Sequence, residues 1–181
     1  MEKRKLKTPI LETERLLLRS FSMDDAQAVF QGWENDPDVA KYMFWTSHNE
    51  IKKTIEWLIF ETGKEDADDW YRWAFVRKDT GELIGTGLIY LEEEYNKYEI
   101  SYNLSKKAWG NGYTTEAMKE IIRFAAEELN IKEIVGRHAI ENPASKNVMT
   151  KLGFQFVKNI PYECNGGTKT YEGKEYIWKR Q

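Results

Sequence analysis

Residues 98–129 read YEISYNLSKKAWGNGYTTEAMKEIIRFAAEEL, and this stretch decides the fold. It opens on aromatic and β-branched residues typical of a strand and continues through a loop that contains Gly110 and Gly112. It ends in apolar residues at helical spacing, among them Met118 and Ile122. A helix that follows a glycine loop leaves its first N–H groups unpaired near the positive end of its dipole. The stretch therefore predicts an anion-binding loop between a strand and a helix.

The loop sequence alone does not identify the anion. It lacks the G-x-x-x-x-G-K-[ST] pattern of a P-loop, and it lacks the third glycine of a dinucleotide-binding loop. Two glycines before a helix also occur in turns that only cap the helix. The nature of the ligand must therefore be inferred from the rest of the chain.

Composition predicts an ordinary globular protein of 181 residues, with 41% hydrophobic and 31% charged residues and a net charge of −3. We expect a basic tail at 1–10 and a single domain over 11–181. The net charge argues against a nucleic-acid partner. A lone cysteine, Cys164, and two histidines predict no internal disulfide and no metal site. Without a signal peptide or an apolar membrane segment, the expected location is the cytoplasm.

The order of predicted elements indicates a mixed α/β fold. Ser22 begins a capping box for one helix, and Ser47 is the predicted N-cap of the next. The predicted helices cover 22–34, 48–62, 115–129 and 144–152. The predicted strands cover 15–21, 70–77, 83–91, 98–104, 133–140, 154–159 and 170–179.

Three blocks of sequence together resemble the GNAT superfamily of acetyl-CoA-dependent N-acetyltransferases. They are LETERLLLRSFSMDDAQAVFQGWENDPDVAKYM at 11–43, WGNGYTTEA at 109–117 and ENPASKNVMTKLGF at 141–154. The first block is similar to the branch that contains the ribosomal-protein N-terminal acetyltransferases. The resemblance implies a mixed, mostly antiparallel sheet with helices on both faces. It also implies that the sheet splays open between 98–104 and 133–140, and that the pantetheine arm of acetyl-CoA occupies the gap like an added strand.

The resemblance also implies which residues bind the cosubstrate acetyl-CoA. Trp109 occupies the first position of the family's pyrophosphate loop and Gly112 the fourth, while Thr114 stands where the family has Gly or Ala. Backbone N–H groups of this loop hold the phosphates, and Asn142 bonds the pantetheine arm. The implied cofactor-binding residues are Asn103, Leu104, Trp109, Gly110, Asn111, Gly112, Tyr113, Thr114, Asn142 and Asn147.

Acetyl transfer to an amine needs a group that removes a proton from the amine and a group that protonates the leaving thiolate. The resemblance places Glu99 as the base, although a surface role on its strand is an equal alternative and His138 or water is another candidate. It places Ser145 as the acid. Tyrosine serves as the acid in many relatives, so Tyr102, Tyr113 and Tyr162 stay open for that role.

The expected function is transfer of an acetyl group from acetyl-CoA to a primary amine, either a protein N-terminus or a small molecule. A non-catalytic CoA-binding or regulatory module with the same fold is the alternative, and a nucleotide-binding protein is a remote third. We expect a monomer or homodimer with no membrane or nucleic-acid partner.

Overall fold

The computed structural model describes residues 7–64 and 67–180. Within them, eight strands form one sheet in the order β1-β2-β3-β4-β5-β6-β8-β7. The strands are β1 Leu11–Glu12, β2 Leu16–Arg19, β3 Trp70–Arg77, β4 Leu83–Glu92, β5 Lys97–Leu104, β6 Glu133–Ala139, β7 Gln155–Cys164 and β8 Lys169–Lys179. The α-helices are α1 Ala26–Val29, α2 Pro37–Ala40, α3 Ile51–Thr62, α4 Tyr113–Glu127 and α5 Pro143–Lys151.

The sheet is antiparallel except where β5 meets β6. These two strands run parallel and pair at only two positions, Tyr98 with Ile134 and Glu99 with Val135. Beyond Glu99 they diverge, although β5 stays paired with β4 to its end and β6 stays paired with β8. The splay predicted between these strands is therefore confirmed.

Helices cover both faces of the sheet, as predicted. On one face α4 buries Met118 and Ile121 in the larger core cluster. The helix lies so close to β4 that a Cβ on Gly87 would sit 2.8 Å from the Met118 sulfur. On the other face Val29 and Leu58 pack in a second cluster. The apolar stripes of the helices explain both layers.

The helix α1 has an unusual continuation. A 3₁₀ turn at Met23–Asp25 leads into it, and a π-helical turn at Phe30–Glu34 follows it. The Ser22 backbone N–H donates to Asp25 Oδ2 at 2.8 Å, as the predicted capping box requires. The π turn, which sequence periodicity does not show, widens the helix where Glu34 enters the interior.

Some predicted boundaries were wrong. Helix α3 begins at Ile51 with Glu50 as its N-cap, not at His48 after Ser47. The reason is tertiary, because the His48 backbone N–H donates to Glu34 O at 3.0 Å instead of starting a helix. The short elements β1 and α2 were missed, and β7 runs to Cys164, beyond its predicted end. Residues 1–6 of the predicted tail lie outside the described residues, and the division into tail and domain stays a prediction.

Two negative findings concern only 7–64 and 67–180. No helix there is long and apolar enough to cross a membrane. No group of three or more His, Cys, Asp or Glu side chains there is arranged to hold a metal ion.

Candidate active site

The divergence of β5 and β6 borders a cavity of about 1450 Å³. Ligand pockets are commonly about 300–1,000 Å³, so this cavity has room for more than one small substrate. Its floor is the face of β3, β4, β5 and β6, and its other walls come from 42–48 and from β7. Six of the residues considered for the site line it: Glu99, Tyr102, Asn103, Asn142, Ser145 and Tyr162.

Glu99 lies at the last paired position before the strands diverge. Its side chain is only 13% exposed, and Oε2 lies 3.1 Å from Arg137 Nη1. Burial raises the pKa of Glu99 to about 7, since desolvation outweighs the opposing effect of Arg137. Arg137 also pairs with Glu175, with Nε 3.0 Å from Oε2. A carboxylate in this environment can accept a proton near neutral pH.

Ser145 and Tyr102, predicted as alternative acids, are neighbours. The hydroxyl oxygens of the two side chains are 2.9 Å apart. Burial raises the pKa of Tyr102 well above its usual value, so its hydroxyl keeps its proton. Asn142 caps α5, because its Oδ1 accepts a hydrogen bond from the Ser145 backbone N–H at 3.2 Å. The cap fixes the first turn of α5 and with it Ser145.

Two other candidates for proton transfer, His138 and Tyr162, donate hydrogen bonds to backbone carbonyl groups. His138 does not line the cavity; it shares a face of β6 with Ile134, opposite to Arg137, and its Nδ1 donates to Ala139 O at 2.7 Å. Tyr162 lines the cavity, but its hydroxyl donates to Tyr42 O at 3.0 Å.

The predicted pyrophosphate loop combines left-handed backbone with exposed surface. Gly110 has φ of 76° and Gly112 has φ of 78°, values that favour glycine. Gly112 is the N-cap of α4 and provides no side-chain cap, so the first N–H groups of the helix stay available to an anion. A Cβ on Gly110 would meet no described atom within 4 Å. The open backbone fits a bound pyrophosphate.

A brace from the N-terminal strands supports this loop. Glu116, in the first turn of α4, accepts hydrogen bonds from Thr13 Oγ1 at 2.6 Å and from Arg15 Nε at 2.6 Å. Arg15 Nη1 donates to Asn111 O at 3.0 Å, and its guanidinium carbon lies 4.4 Å from the centre of the Tyr113 ring. Local sequence patterns could not predict this brace, because about a hundred residues separate its partners.

The remaining predicted cofactor residues flank the splay. Trp109 Nε1 donates to Leu104 O at 3.0 Å, which joins the loop to the end of β5. Asn103 is buried, and its Nδ2 has no acceptor among the described residues. Thr114 is half-buried in the first turn of α4, and Asn147 is exposed on α5.

Comparison with known proteins decides the family. The model of the acetyltransferase (GNAT) domain matches residues 15–155. The chain belongs to the GNAT acetyltransferase family. The uncharacterized N-acetyltransferase YoaA of Bacillus subtilis (strain 168) is 30% identical over 167 residues, which cover 87% of this chain and 94% of YoaA. The chain is therefore an N-acetyltransferase, as its sequence resemblance implied.

Solved structures support the same fold. The ribosomal L7/L12 α-N-protein acetyltransferase RimL, in complex with coenzyme A, superposes with a TM-score of 0.80 at 16% identity, covering 96% of this chain and 98% of RimL. The microcin C7 self-immunity acetyltransferase MccE, in complex with acetyl-CoA and AMP, has a TM-score of 0.81 at 16% identity, covering 92% and 93%. The solved structures thus confirm the GNAT fold.

Proposed function

We propose that this chain transfers the acetyl group of acetyl-CoA to a primary amine bound in the cavity, with Glu99 as the base. The observation that carries the proposal is the position of Glu99: a buried carboxylate at the apex of the splay, with a pKa raised to about 7. Few carboxylates are held so close to neutrality outside functional sites.

Acetyl-CoA fits the splayed side of the sheet. The free N–H groups at the start of α4 and the left-handed glycines would hold its pyrophosphate. The unpaired edge of β5 beyond Glu99 would accept the pantetheine arm in the manner of an added strand. These two features bring the thioester end of the molecule toward Glu99 and Ser145.

The chain's own residues then move two protons. The amine loses a proton to Glu99, directly or through water, as its nitrogen forms a bond to the acetyl carbon. The bond from that carbon to sulfur breaks, and the Ser145 hydroxyl supplies a proton to the thiolate. Tyr102 is placed to restore the proton on Ser145, because the two hydroxyl oxygens lie 2.9 Å apart.

The test is incubation of the purified protein with labelled acetyl-CoA and a panel of amines and N-terminal peptides, with mass spectrometry of the products. The account predicts free CoA together with an N-acetylated product. Binding of acetyl-CoA without acetylation of any amine would contradict the proposal.

A further inference from the structure

On the acceptor side, the cavity floor carries three side chains with hydrogen-bond donors, Arg72 on β3, Thr86 on β4 and Asn103 on β5. Among the described residues, Asn103 Nδ2 has no acceptor, and the terminal nitrogens of Arg72 share only one long hydrogen bond with the Thr86 hydroxyl. Buried donors normally find acceptors inside the protein or in bound water or ligand. A cluster of unused donors on one wall therefore indicates that something with acceptor oxygens binds there.

Arg72 is the charged member of this cluster. Its Nε lies 2.8 Å from Glu61 Oε1, and its side chain is 16% exposed. Its guanidinium carbon lies 5.4 Å from the centre of the Trp57 ring and 5.6 Å from that of the Trp70 ring, so the rings hold it in place. Among the described residues its terminal nitrogens make one long hydrogen bond, 3.5 Å from Nη1 to Thr86 Oγ1.

Thr86 and Asn103 continue the row. They lie directly opposite each other on β4 and β5, so their Cβ atoms are about 5 Å apart on the same face. Thr86 is almost fully buried, and Asn103 is 9% exposed with an Nδ2 that has no acceptor in the described chain. Guanidinium, hydroxyl and amide donors thus lie side by side, and this grouping assigns the Asn103 amide to the acceptor instead of to acetyl-CoA.

The register of the sheet relates this cluster to Glu99. Arg72 lies opposite Leu88, Leu88 lies opposite Ser101, and Glu99 is two residues from Ser101 on the same face. With about 4.8 Å between strands and about 3.4 Å per residue, the Cα atoms of Arg72 and Glu99 are about 12 Å apart. One small molecule can therefore reach both side chains across the cavity.

We propose that the acceptor is a small amine that carries a carboxylate, bound with its amine toward Glu99 and its carboxylate on Arg72, Thr86 and Asn103. The planar fork of arginine matches a carboxylate through paired hydrogen bonds. Glu61 pairs with Arg72 and Glu34 adds negative charge near it, so a dianionic phosphate would be repelled more strongly than a carboxylate that binds through hydrogen bonds. The inference rests on the proposed function and names its substrate class.

A bridge across one part of the cavity favours a small acceptor. Asn165, at the turn between β7 and β8, donates through its backbone N–H to Met43 O at 2.9 Å and through Nδ2 to Trp45 O at 2.9 Å. These bonds join the turn to the segment before α3, across the cavity from the sheet. A folded protein surface could not enter under this bridge, whereas a free amino acid could.

The test compares amines that carry a carboxylate with matching amines that carry an amide or a phosphonate, and with short peptides. The probes are ω-amino acids from 4-aminobutyrate to 6-aminohexanoate, α-amino acids, their amides, the matching aminoalkyl phosphonates, and peptide amides with an acidic second residue. For wild-type protein we expect kcat/KM for the best carboxylate to exceed that for its amide by about tenfold or more, the effect of a charged hydrogen bond. We expect the phosphonates and peptides to react less well than the carboxylates.

Two variants assign that preference to the cluster. The double change Arg72→Met with Glu61→Gln removes both members of the ion pair, so no buried charge is left unpaired. Thr86→Val keeps the shape and removes the hydroxyl. We expect the double variant to lose the preference for carboxylate over amide while its turnover of the amide persists, and Thr86→Val to lower the preference by about threefold to tenfold.

The matched control is Arg19→Met with Asp25→Asn, which removes a paired arginine and carboxylate that do not line the cavity. It should keep the preference. Equal rates for carboxylates and amides in the wild type, or a preference that survives in both cluster variants, would overturn the inference and leave the proposed function standing. Phosphonates or acidic peptides as the best acceptors would also overturn it. Acetylation of no amine at all would overturn both.

Discussion

The two ends of the active-site region are built differently. At the proposed cofactor end, the backbone of 109–114 presents N–H groups, so a short local segment would supply most of the contacts that a phosphate needs. At the acceptor end, side chains from β3, β4, β5, β6 and the segment before α3 converge on the cavity. The first kind of site depends on backbone conformation, and the second depends on the burial and charge of individual side chains. Substitutions should therefore act in different ways at the two ends.

The largest effect should come from Glu99→Gln at the acceptor end. Loss of a general base typically lowers the rate by about 100- to 10,000-fold, and we expect kcat/KM for the amine to fall within that range. Because the pKa of Glu99 is raised to about 7, the fraction of ionised Glu99 increases as the pH rises through 7. The kcat/KM of the wild type should therefore rise over this pH range. The variant should not show this rise. Affinity for acetyl-CoA, measured by calorimetry, should hardly change.

A second carboxylate gives the control for Glu99. Glu175 pairs with the same arginine, is equally exposed at 13%, and raises the pKa of Glu99 by its negative charge. Glu175→Gln should keep most of the activity. Because the pKa of Glu99 would then be lower, the rise of kcat/KM with pH should move to lower pH. A loss as large as that of Glu99→Gln would show that the ion-pair cluster acts only as a structural unit.

Gly112→Val should have the next largest effect, at the cofactor end. A β-branched residue resists φ of 78° and would disturb the N–H groups that face the phosphates. Loss of one or two charged hydrogen bonds corresponds to about 100-fold weaker binding of acetyl-CoA in calorimetry. Gly81→Val is the matched control, because Gly81 has φ of 72° in the turn between β3 and β4 and no described atom lies within 4 Å of its Cβ position. If both variants bind acetyl-CoA equally well, the phosphates are held elsewhere.

A smaller effect is expected for Ser145→Ala. Thiolate is already a fair leaving group, so kcat should fall by less than about tenfold, below the usual range for an acid catalyst. Affinity for acetyl-CoA should hold, because the interaction develops late in the reaction. Steady-state kinetics would separate the two roles of the residue: weaker binding with unchanged kcat would make Ser145 only a positioning residue at the start of α5.

The smallest effect should come from the brace behind the loop. Arg15→Met removes the ion pair with Glu116, in which the arginine side chain is 43% exposed. Exposed ion pairs contribute at most about 1 kcal/mol, so we expect acetyl-CoA affinity to fall by about fivefold at most. KM for acetyl-CoA should rise while kcat holds. Arg123→Met is the control on the same helix, since Arg123 is 45% exposed and pairs with Glu120 and Glu127. Equal behaviour of the two variants would show that the brace does not shape the loop.

The sequence predicted the strand, the glycine loop and the helix of the proposed cofactor end, because these elements are local in the chain. A strand, two glycines and an amphipathic helix are adjacent in the chain, and their periodicity is local. The splay and the candidate base came from family resemblance, and the two-position contact of β5 with β6 confirms the splay. Glu99 could be named, but its raised pKa depends on burial, which outweighs the opposing charge of Arg137 on another strand.

The acceptor end could not be predicted in the same way. Arg72 is one of two arginines in its strand, and only the packing of Trp57 and Trp70 around it reveals a buried guanidinium. The sequence predicts that a helix starts at His48, but the backbone N–H of His48 donates to Glu34 O instead. The contacts of Arg72 with Trp57 and of His48 with Glu34 join different elements of the fold, so no local pattern encodes them.

The most direct test of this account is a crystal structure of the protein with acetyl-CoA and a slow-reacting amine. The account predicts pyrophosphate over the backbone of 109–114, pantetheine in the gap between residues 100–104 and 136–139, and the amine nitrogen within hydrogen-bond reach of Glu99 or of a water bound to it. Acetyl-CoA bound outside the gap, or an amine bound away from Glu99, would contradict it.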